Sequence, residues 1–263
     1  MFEKEFSFAV KTALSAGKIL KRYSGSSNRI HFKGAIDIVT DADLASEKFI
    51  TKKIKKEFPY CSILCEEGSN VNGEGEMKWI VDPLDGTTNF AHNYPFFAVS
   101  IALEVKGRIV LGVVYDPLRN ELFSALKGKG ATLNGRRISV SKINKLQHAM
   151  LSTGFPYDVA TSPENNLDHW ANFIKRVQAI RRDGSAALNI SYVACGRFDG
   201  FWEMKLKPWD LSAGALIVEE AGGKVTDFSG GEFDHYSGRI VASNGLIHKD
   251  MVEVLKEGLK SSP

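Results

Sequence analysis

Trp79-Ile80-Val81-Asp82-Pro83-Leu84-Asp85-Gly86-Thr87-Thr88-Asn89-Phe90 is the stretch on which the fold turns. The apolar run Trp79 to Val81 predicts a buried strand. It ends in two carboxylates three positions apart, followed by a glycine and two hydroxyl residues able to open a helix. Pro83 fixes its own φ and has no N–H, which stiffens the backbone between the aspartates. Two carboxylates held this close repel one another unless a cation sits between them. Mg²⁺ suits such a pair, because it prefers oxygen and is held by a few carboxylates with substrate phosphates and water. An Asp-Gly turn between strand and helix looks the same locally, so the surrounding chain decides between the two.

Working outward on the N-terminal side, Phe6, Val10, Ala13, Gly17 and Leu20 recur at helical spacing and predict an amphipathic helix ending near Ser24-Gly25. An extended segment including Ile36 to Val39 follows. The next helix starts at Thr40, with Asp43 placed to complete a capping box. It turns Ile50, Ile54 and Phe58 inward and Lys52, Lys53, Lys55 and Lys56 outward, and Pro59 ends it. The lysine run has the character of a solvated helix face rather than a nucleic-acid patch. Ser62-Ile63-Leu64 is a short strand delivering Glu66 and Glu67 into a polar loop, Gly68 to Glu76.

On the C-terminal side, Phe97 to Val105, Ile109 to Tyr115 and Glu121 to Leu126 are β-rich runs with short turns, which predicts an antiparallel meander. Residues 1–146 therefore read as an α+β half, with two helices on an antiparallel sheet. In residues 147–263 strands alternate with helices, which argues for an α/β half. The strands are Ala149 to Ser152, Gln178 to Arg181, Asp199 to Trp202 and Ile240 to Ala242. The helices are Leu167 to Val177, Ser185 to Ala194, Leu211 to Ala221 and Met251 to Leu259.

The chain has 263 residues, enough for one large domain or two modest ones. Its 43% hydrophobic and 25% charged content is that of a globular protein, and a net charge of +3 does not point to nucleic acid or membrane. No apolar run approaches the ~20 residues a spanning helix needs. Glu3, Lys4 and Glu5 are unlike a secretory leader, so the cytoplasm is the expected compartment. Cys61 and Cys65 on one strand would lie ~13 Å apart, too far for a bridge.

Two further motifs carry chemistry. Arg181-Arg182-Asp183-Gly184-Ser185-Ala186-Ala187 joins a strand to a helix whose small residues leave N–H groups open to an anion, with arginines nearby. Pro208-Trp209-Asp210-Leu211-Ser212-Ala213-Gly214 precedes Glu219-Glu220-Ala221-Gly222-Gly223. By itself Asp210 reads equally as a helix cap, with the glycines ending the helix.

Together, Glu66-Glu67, Asp82-Pro83-Leu84-Asp85-Gly86-Thr87, Trp209-Asp210, Ala213-Gly214 and Glu220-Ala221-Gly222-Gly223 resemble the inositol monophosphatase family of Mg²⁺-dependent, lithium-inhibited phosphatases. The resemblance runs from the first helix to the last. Arg181-Arg182 and Gly184-Ser185-Ala186-Ala187-Leu188 are most similar to the bacterial members. It implies a layered αβαβα sandwich, a site between the two halves, a homodimer, and two or three Mg²⁺ ions with Mn²⁺ able to substitute. Glu66, Asp82 and the Leu84 carbonyl match ligands of a first metal, and Asp82, Asp85 and Asp210 those of a second. Glu66, counted among the catalytic residues, also matches a weaker third site. Gly86 and Thr87 match positions whose backbone N–H groups hold the phosphate. Ala186, Glu203 and Asp210 match contacts to sugar-alcohol hydroxyls. Asp43 aligns with a carboxylate that accepts from the Thr87 hydroxyl, so that the pair orients and deprotonates the attacking water.

No histidine pair has zinc-ligand spacing and no cysteine sits beside a base, so direct attack by metal-activated water is expected over a phospho-enzyme. The expected substrate is inositol monophosphate. Arg181 and Arg182 offer a partner for a second phosphate, which keeps fructose 1,6-bisphosphate and other sugar phosphates as alternatives. The non-enzymatic alternative is a binding role, since some bacterial relatives are implicated in transcription and ribosome biogenesis.

Overall fold

The computed structural model describes residues 2–25, 30–32 and 38–258. It has five layers, αβαβα. The outer helices α1 (Glu3–Tyr23) and α2 (Asp41–Glu57) cover a seven-stranded sheet of β3 (Ser62–Cys65), β4 (Met77–Asp85), β5 (Ala98–Val105), β6 (Arg108–Asp116), β7 (Glu121–Leu126), β8 (Ala131–Leu133) and β9 (Arg136–Arg137), in that order. The middle layer is α5 (Ala186–Ala194) and α6 (Pro208–Glu220). Beyond it lies a five-stranded sheet of β10 (Met150–Thr153), β11 (Ala179–Arg181), β12 (Gly200–Glu203), β13 (Lys224–Thr226) and β14 (Ile240–Ser243), ordered β11-β10-β12-β14-β13. The far layer is α4 (Leu167–Ile174) and α7 (His248–Lys256). A short ribbon, β1 (Ile30–Phe32) with β2 (Ile38–Thr40), the five-residue α3 (Thr87–Ala91) and a 3₁₀ turn (Leu146–His148) complete the described elements.

Three buried cores hold the five layers together, the central one wrapping both sides of α5 and α6. Ala13, Leu20, Ile50, Ile54, Trp79 and Val81 fill the space under α1 and α2. Phe123, Leu188, Phe201 and Leu216 fill the central one, and Trp202, Phe173 and Met251 the far one. The middle helices lie very close to their neighbours. A Cβ at Gly112 of β6 would come within 2.6 Å of the Ala213 carbonyl oxygen, and one at Gly214 within 2.8 Å of the Ile190 side chain. That tight approach is what carries the start of α6 over the end of β4.

Several sequence expectations are corrected. The large sheet is mixed, because β3 runs parallel to β4. The loop from Glu66 to Glu76 returns the chain to the end of the sheet where β3 began, and a parallel pair needs such a crossover rather than a tight turn. The strand predicted to stop at Val81 continues through both aspartates to Asp85. The helix predicted over Leu167 to Val177 ends at Ile174, and the one predicted from Leu211 begins at Pro208, which is favoured at a first helical position. The expectations for Ile36 and Leu259 lie outside the described residues. Cys61, Cys65 and Cys195 are free thiols. No helix among the described residues is long and apolar enough to cross a membrane.

His248, at the start of α7, is buried with Nε2 2.8 Å from Thr226 Oγ1 and Nδ1 2.8 Å from Ser243 Oγ. The Thr226 hydroxyl donates to the Asp227 carbonyl, so Nε2 carries the ring proton and Nδ1 accepts from Ser243. Burial, helped by Lys224, lowers the pKa to about 4. The unfolded chain, with an ordinary histidine near 6.5, therefore binds this proton first. The contribution is present above that value and lost as pH falls towards 4, by roughly 3 kcal/mol. Chemical denaturation across this window should show the slope, and His248→Gln should remove it. An identical slope in the variant would assign it to other groups.

Candidate active site

In a regular strand Asp82 and Asp85, three positions apart, would point to opposite faces. They do not, because β4 is bulged: Asp82 pairs with Ser100 and Asp85 with Ala98, three residues opposite two. Pro83 occupies the bulge, where a missing N–H costs no ladder bond. The Leu84 N–H closes the turn onto Asp82 Oδ1 at 2.9 Å. The Asp85 carboxylate is held from across the molecule. It accepts from Ser185 Oγ at 2.5 Å, from the Ala187 N–H at 2.7 Å and from the Ala186 N–H at 3.3 Å. The open N–H groups expected to receive an anion at this helix start are thus taken up by an anion of the chain itself.

Asp210 lies in the first turn of α6, where Oδ2 accepts the Lys207 N–H at 2.7 Å. It is therefore a cap, and it also faces the two aspartates. Ser100 Oγ, on the strand paired with β4, donates to the Trp209 carbonyl at 3.1 Å and fixes that approach. One carboxylate oxygen from each of Asp82, Asp85 and Asp210 falls within 4.8 Å of the others.

Burial raises the Asp82 pKa well above the ordinary range, and the charges of Glu66, Asp85 and Asp210 raise it further. Asp210 is raised in the same way by burial, Asp85 and Glu66. Asp85 is pushed up by burial to about 6, despite the bonds from Ser185, Ala187 and Ala186. Ordinary sites do not gather carboxylates at this electrostatic cost. An all-oxygen donor set with excess negative charge fits a hard divalent cation such as Mg²⁺.

Asp43 and Thr87 adjoin this cluster. Asp43 is fully buried, and its two oxygens divide their work. Oδ2 accepts from the Thr40 N–H at 2.8 Å and Oγ1 at 2.5 Å, completing the capping box at the start of α2. Oδ1 accepts from Thr87 Oγ1 at 2.9 Å. Thr87 Oγ1 also lies 3.1 Å from the Leu84 carbonyl oxygen. Gly86, just before α3, has φ 98°, a left-handed conformation, and a Cβ there would meet the Phe96 and Gly184 carbonyls at 3.0 and 3.3 Å. Glycine is what lets these loops close around the cluster.

A cavity of about 480 Å³ opens beside the carboxylates. Glu66, Asp82, Leu84, Asp85, Gly86 and Thr87 line it, together with Arg182, Ala186, Glu203 and Asp210. Of the residues singled out in the sequence, Asp43 stands behind the wall and reaches the cavity through Thr87, and Arg181, expected with Arg182 to meet a second phosphate, is exposed and does not line the cavity. Glu203, ending β12, is buried, and burial together with the Asp85 charge pushes its carboxyl up to about 8 against the pull of Arg182. Gly154 lies directly against the Glu203 carboxylate, where a Cβ would collide with it. Sequence reasoning missed Ser185, Ser46 and Glu47. The last two were visible in principle, as polar residues on the helix face that continues to Ile50 and Ile54.

The comparisons with known proteins identify the family and the fold. A family model described as the inositol monophosphatase family matches residues 2–260. The Nus factor SuhB of Salmonella typhimurium is 42% identical over 257 residues, covering 97% of this chain and 96% of that protein. An inositol monophosphatase of Dictyostelium discoideum is 43% identical over 244 residues, covering 91% of this chain and 90% of that protein. Among solved structures, the extragenic suppressor protein suhB of Bartonella henselae superposes with a TM-score of 0.93 at 43% identity, covering 98% of this chain and 100% of that one. The bulged β4 with its clustered aspartates and the family match across nearly the whole chain lead to one conclusion: the chain belongs to the inositol monophosphatase family.

Proposed function

We propose that the chain is a Mg²⁺-dependent phosphomonoesterase that hydrolyses inositol monophosphate. The observation that carries this is the convergence of Asp82, Asp85 and Asp210 beside a cavity also lined by Glu66 and Glu203. Glu66, Asp82, Asp85, Asp210 and the Leu84 carbonyl would hold two or three divalent ions, Asp82 being shared. When bound, such ions lower the pKa of an attacking water and offset charge on the leaving oxygen.

The chain's own residues do the rest. Asp43 Oδ1 accepts a hydrogen bond from the Thr87 hydroxyl, which leaves a lone pair of Thr87 Oγ1 to accept from a water entering the cavity. That pair orients the water and draws off its proton as it attacks. The N–H groups of Gly86 and Thr87, at the start of α3, belong to the helix positions without an intrahelical acceptor and are assigned to the phosphate oxygens. Ala186, Glu203 and the Asp210 carboxylate, which line the same cavity, are assigned to the hydroxyls of the alcohol. Burial and the Asp85 charge raise the Glu203 carboxyl to about 8 without metal, and its oxygens are assigned to a polyol hydroxyl as acceptor, or as donor when protonated.

Glu203→Leu keeps the volume but removes both functions. Use of inositol 1-phosphate should weaken by ~1–3 kcal/mol, about five- to 150-fold in kcat/KM, while glycerol 2-phosphate should change little. Equal losses on both esters would make Glu203 structural.

Arg182, Lys205 and Lys207 also border the cavity, which favours a second reading as a bisphosphatase acting on fructose 1,6-bisphosphate. The name Nus factor, carried by relatives at 42% identity, favours a separate association with the transcription machinery. The purified chain should be assayed for phosphate release from inositol 1-phosphate, glycerol 2-phosphate and fructose 1,6-bisphosphate, after chelation and after Mg²⁺ is restored. Mg²⁺-dependent turnover with preference for the inositol ester supports the proposal. Preference for the bisphosphate selects the second reading, and absence of turnover on all three contradicts both.

A further inference from the structure

Helix α2 carries a buried polar face made by Asp43, Ser46 and Glu47, which are 0, 0 and 2% exposed. At i, i+3 and i+4 these side chains lie on one side of the helix, and the same side continues into Ile50 and Ile54 of the core. Polar groups persist at core positions only when they are hydrogen-bonded. Here each of the three reaches a different segment of the site. Asp43 accepts from Thr87. Ser46 Oγ donates to the Pro83 carbonyl at 2.9 Å, inside the bulge between Asp82 and Leu84. Glu47 Oε2 accepts the Glu67 N–H at 2.8 Å, and Oε1 accepts the Ser69 N–H at 3.0 Å.

The Glu47 contacts have no part in the chemistry described above, yet they fall directly after Glu66. Both carboxylate oxygens are used, on two N–H groups of one turn, and bonds from N–H to a charged acceptor are the stronger kind. Between them Gly68 has φ 95°, a left-handed residue of the sort that turns neighbouring N–H groups into a concave anion-binding arrangement. The anion in that concavity is Glu47. On the other side of the turn, the Cys65 N–H is held by Asn70 Oδ1 at 2.9 Å, so Glu66 projects from a short loop fastened at both ends.

We infer that Glu47 is a positioning residue: by clasping the Glu67 and Ser69 N–H groups it sets Glu66 towards Asp82, Asp85 and Asp210. Helix α2 thereby registers three separate segments, the Glu66 loop, the β4 bulge and the Thr87 turn, against one rigid face. The inference rests on the assignment of Glu66 as a metal ligand. Partners that orient a ligand without touching the metal are worth 10–100-fold in affinity elsewhere, and the effect here should be of that size.

Glu47→Gln tests it. The variant keeps the length of the side chain, but one end of its amide is a donor and would face a donor N–H. Three quantities should be compared in the intact chain: amide exchange at Glu67 and Ser69 without metal, Mg²⁺ affinity by calorimetry without substrate, and kcat at saturating Mg²⁺. Exchange should accelerate about tenfold or more, Mg²⁺ affinity should fall ~10-fold or more, and saturated kcat should stay within about threefold. If Glu47→Gln does not fold, Glu47→Asp, with its charge one methylene short of the two N–H groups, should show the same changes. A lowered melting temperature with unchanged Mg²⁺ affinity would overturn the role of Glu47 alone. Absence of Mg²⁺ binding in the unmodified chain would overturn the metal assignment of Glu66 itself.

Discussion

Asp82→Asn is expected to lose ~10³-fold or more in phosphatase activity while the metal-free protein becomes more stable, not less. The two effects share one cause. Asp82 is buried and stands in the field of three other carboxylates, which hold its pKa well above the ordinary range. A carboxyl whose folded pKa is raised destabilises the fold at pH values above its unfolded pKa, and the penalty disappears as pH falls and the group takes up its proton. Asparagine removes that penalty and still offers an oxygen to the Leu84 N–H, which Asp82 Oδ1 accepts at 2.9 Å. Without metal, the melting temperature should therefore rise, by ~2–4 °C for each kcal/mol relieved. With Mg²⁺ the order should reverse, because the variant lacks a charge shared between ions. Charge compensation worth several kcal/mol corresponds to ~10³-fold at about 1.36 kcal/mol per decade. Near-normal turnover of Asp82→Asn at saturating Mg²⁺ would refute the shared-ligand assignment.

Asp43→Asn should separate two roles that the structure unites. The sequence presents capping and proton relay as alternatives, whereas in the structure one oxygen caps the helix and the other accepts from the Thr87 hydroxyl, where a relay would need it. In the variant, one end of the amide can still accept the Thr40 N–H. Its NH₂ end then faces Thr87 Oγ1 and turns the threonine from donor into acceptor. Thr87 then has no carboxylate to which it can pass its own proton, and the relay that would take one from the attacking water is broken. The expected loss in kcat is ~10²–10⁴, while the loss of a helix-terminal charge costs only about 0.3–1 kcal/mol of stability. Thr87→Val should give a loss of similar size. The double variant should be scarcely worse than either single one, because residues acting as a unit are not additive. A variant that melts lower but turns over normally would leave Asp43 as a cap only.

Much of this was legible in the sequence because the motif residues sit next to the local signals that place them. Asp82 and Asp85 end an apolar run, Thr40 and Asp43 have capping-box spacing, and Asp210 follows a proline at a helix start. What could not be read depends on contacts between distant segments. The parallel pairing of β3 with β4 is set by the crossover loop and not by any residue within Ser62–Cys65. The bulge that turns Asp85 to the same side as Asp82 shows only against the register of β5. Ser185 appears in sequence as an ordinary helix cap, and its hydroxyl proves to be a donor to Asp85, 100 positions away. Glu47 was within reach, since extending the inward stripe of Ile54 and Ile50 back by one turn ends on a carboxylate. A charged residue at a core position is a question the sequence already asks.

The central claim is that four carboxylates and one carbonyl form a metal centre able to hold two ions. Anomalous diffraction from crystals soaked with Mn²⁺ and phosphate tests it most directly. The expected result is two Mn²⁺ peaks about 3.5–4 Å apart, with Asp82 reaching both, Glu66 and the Leu84 carbonyl on one, and Asp85 and Asp210 on the other. Crystals that take up Mn²⁺ elsewhere, or show no peak among these residues at saturating Mn²⁺, would contradict the account.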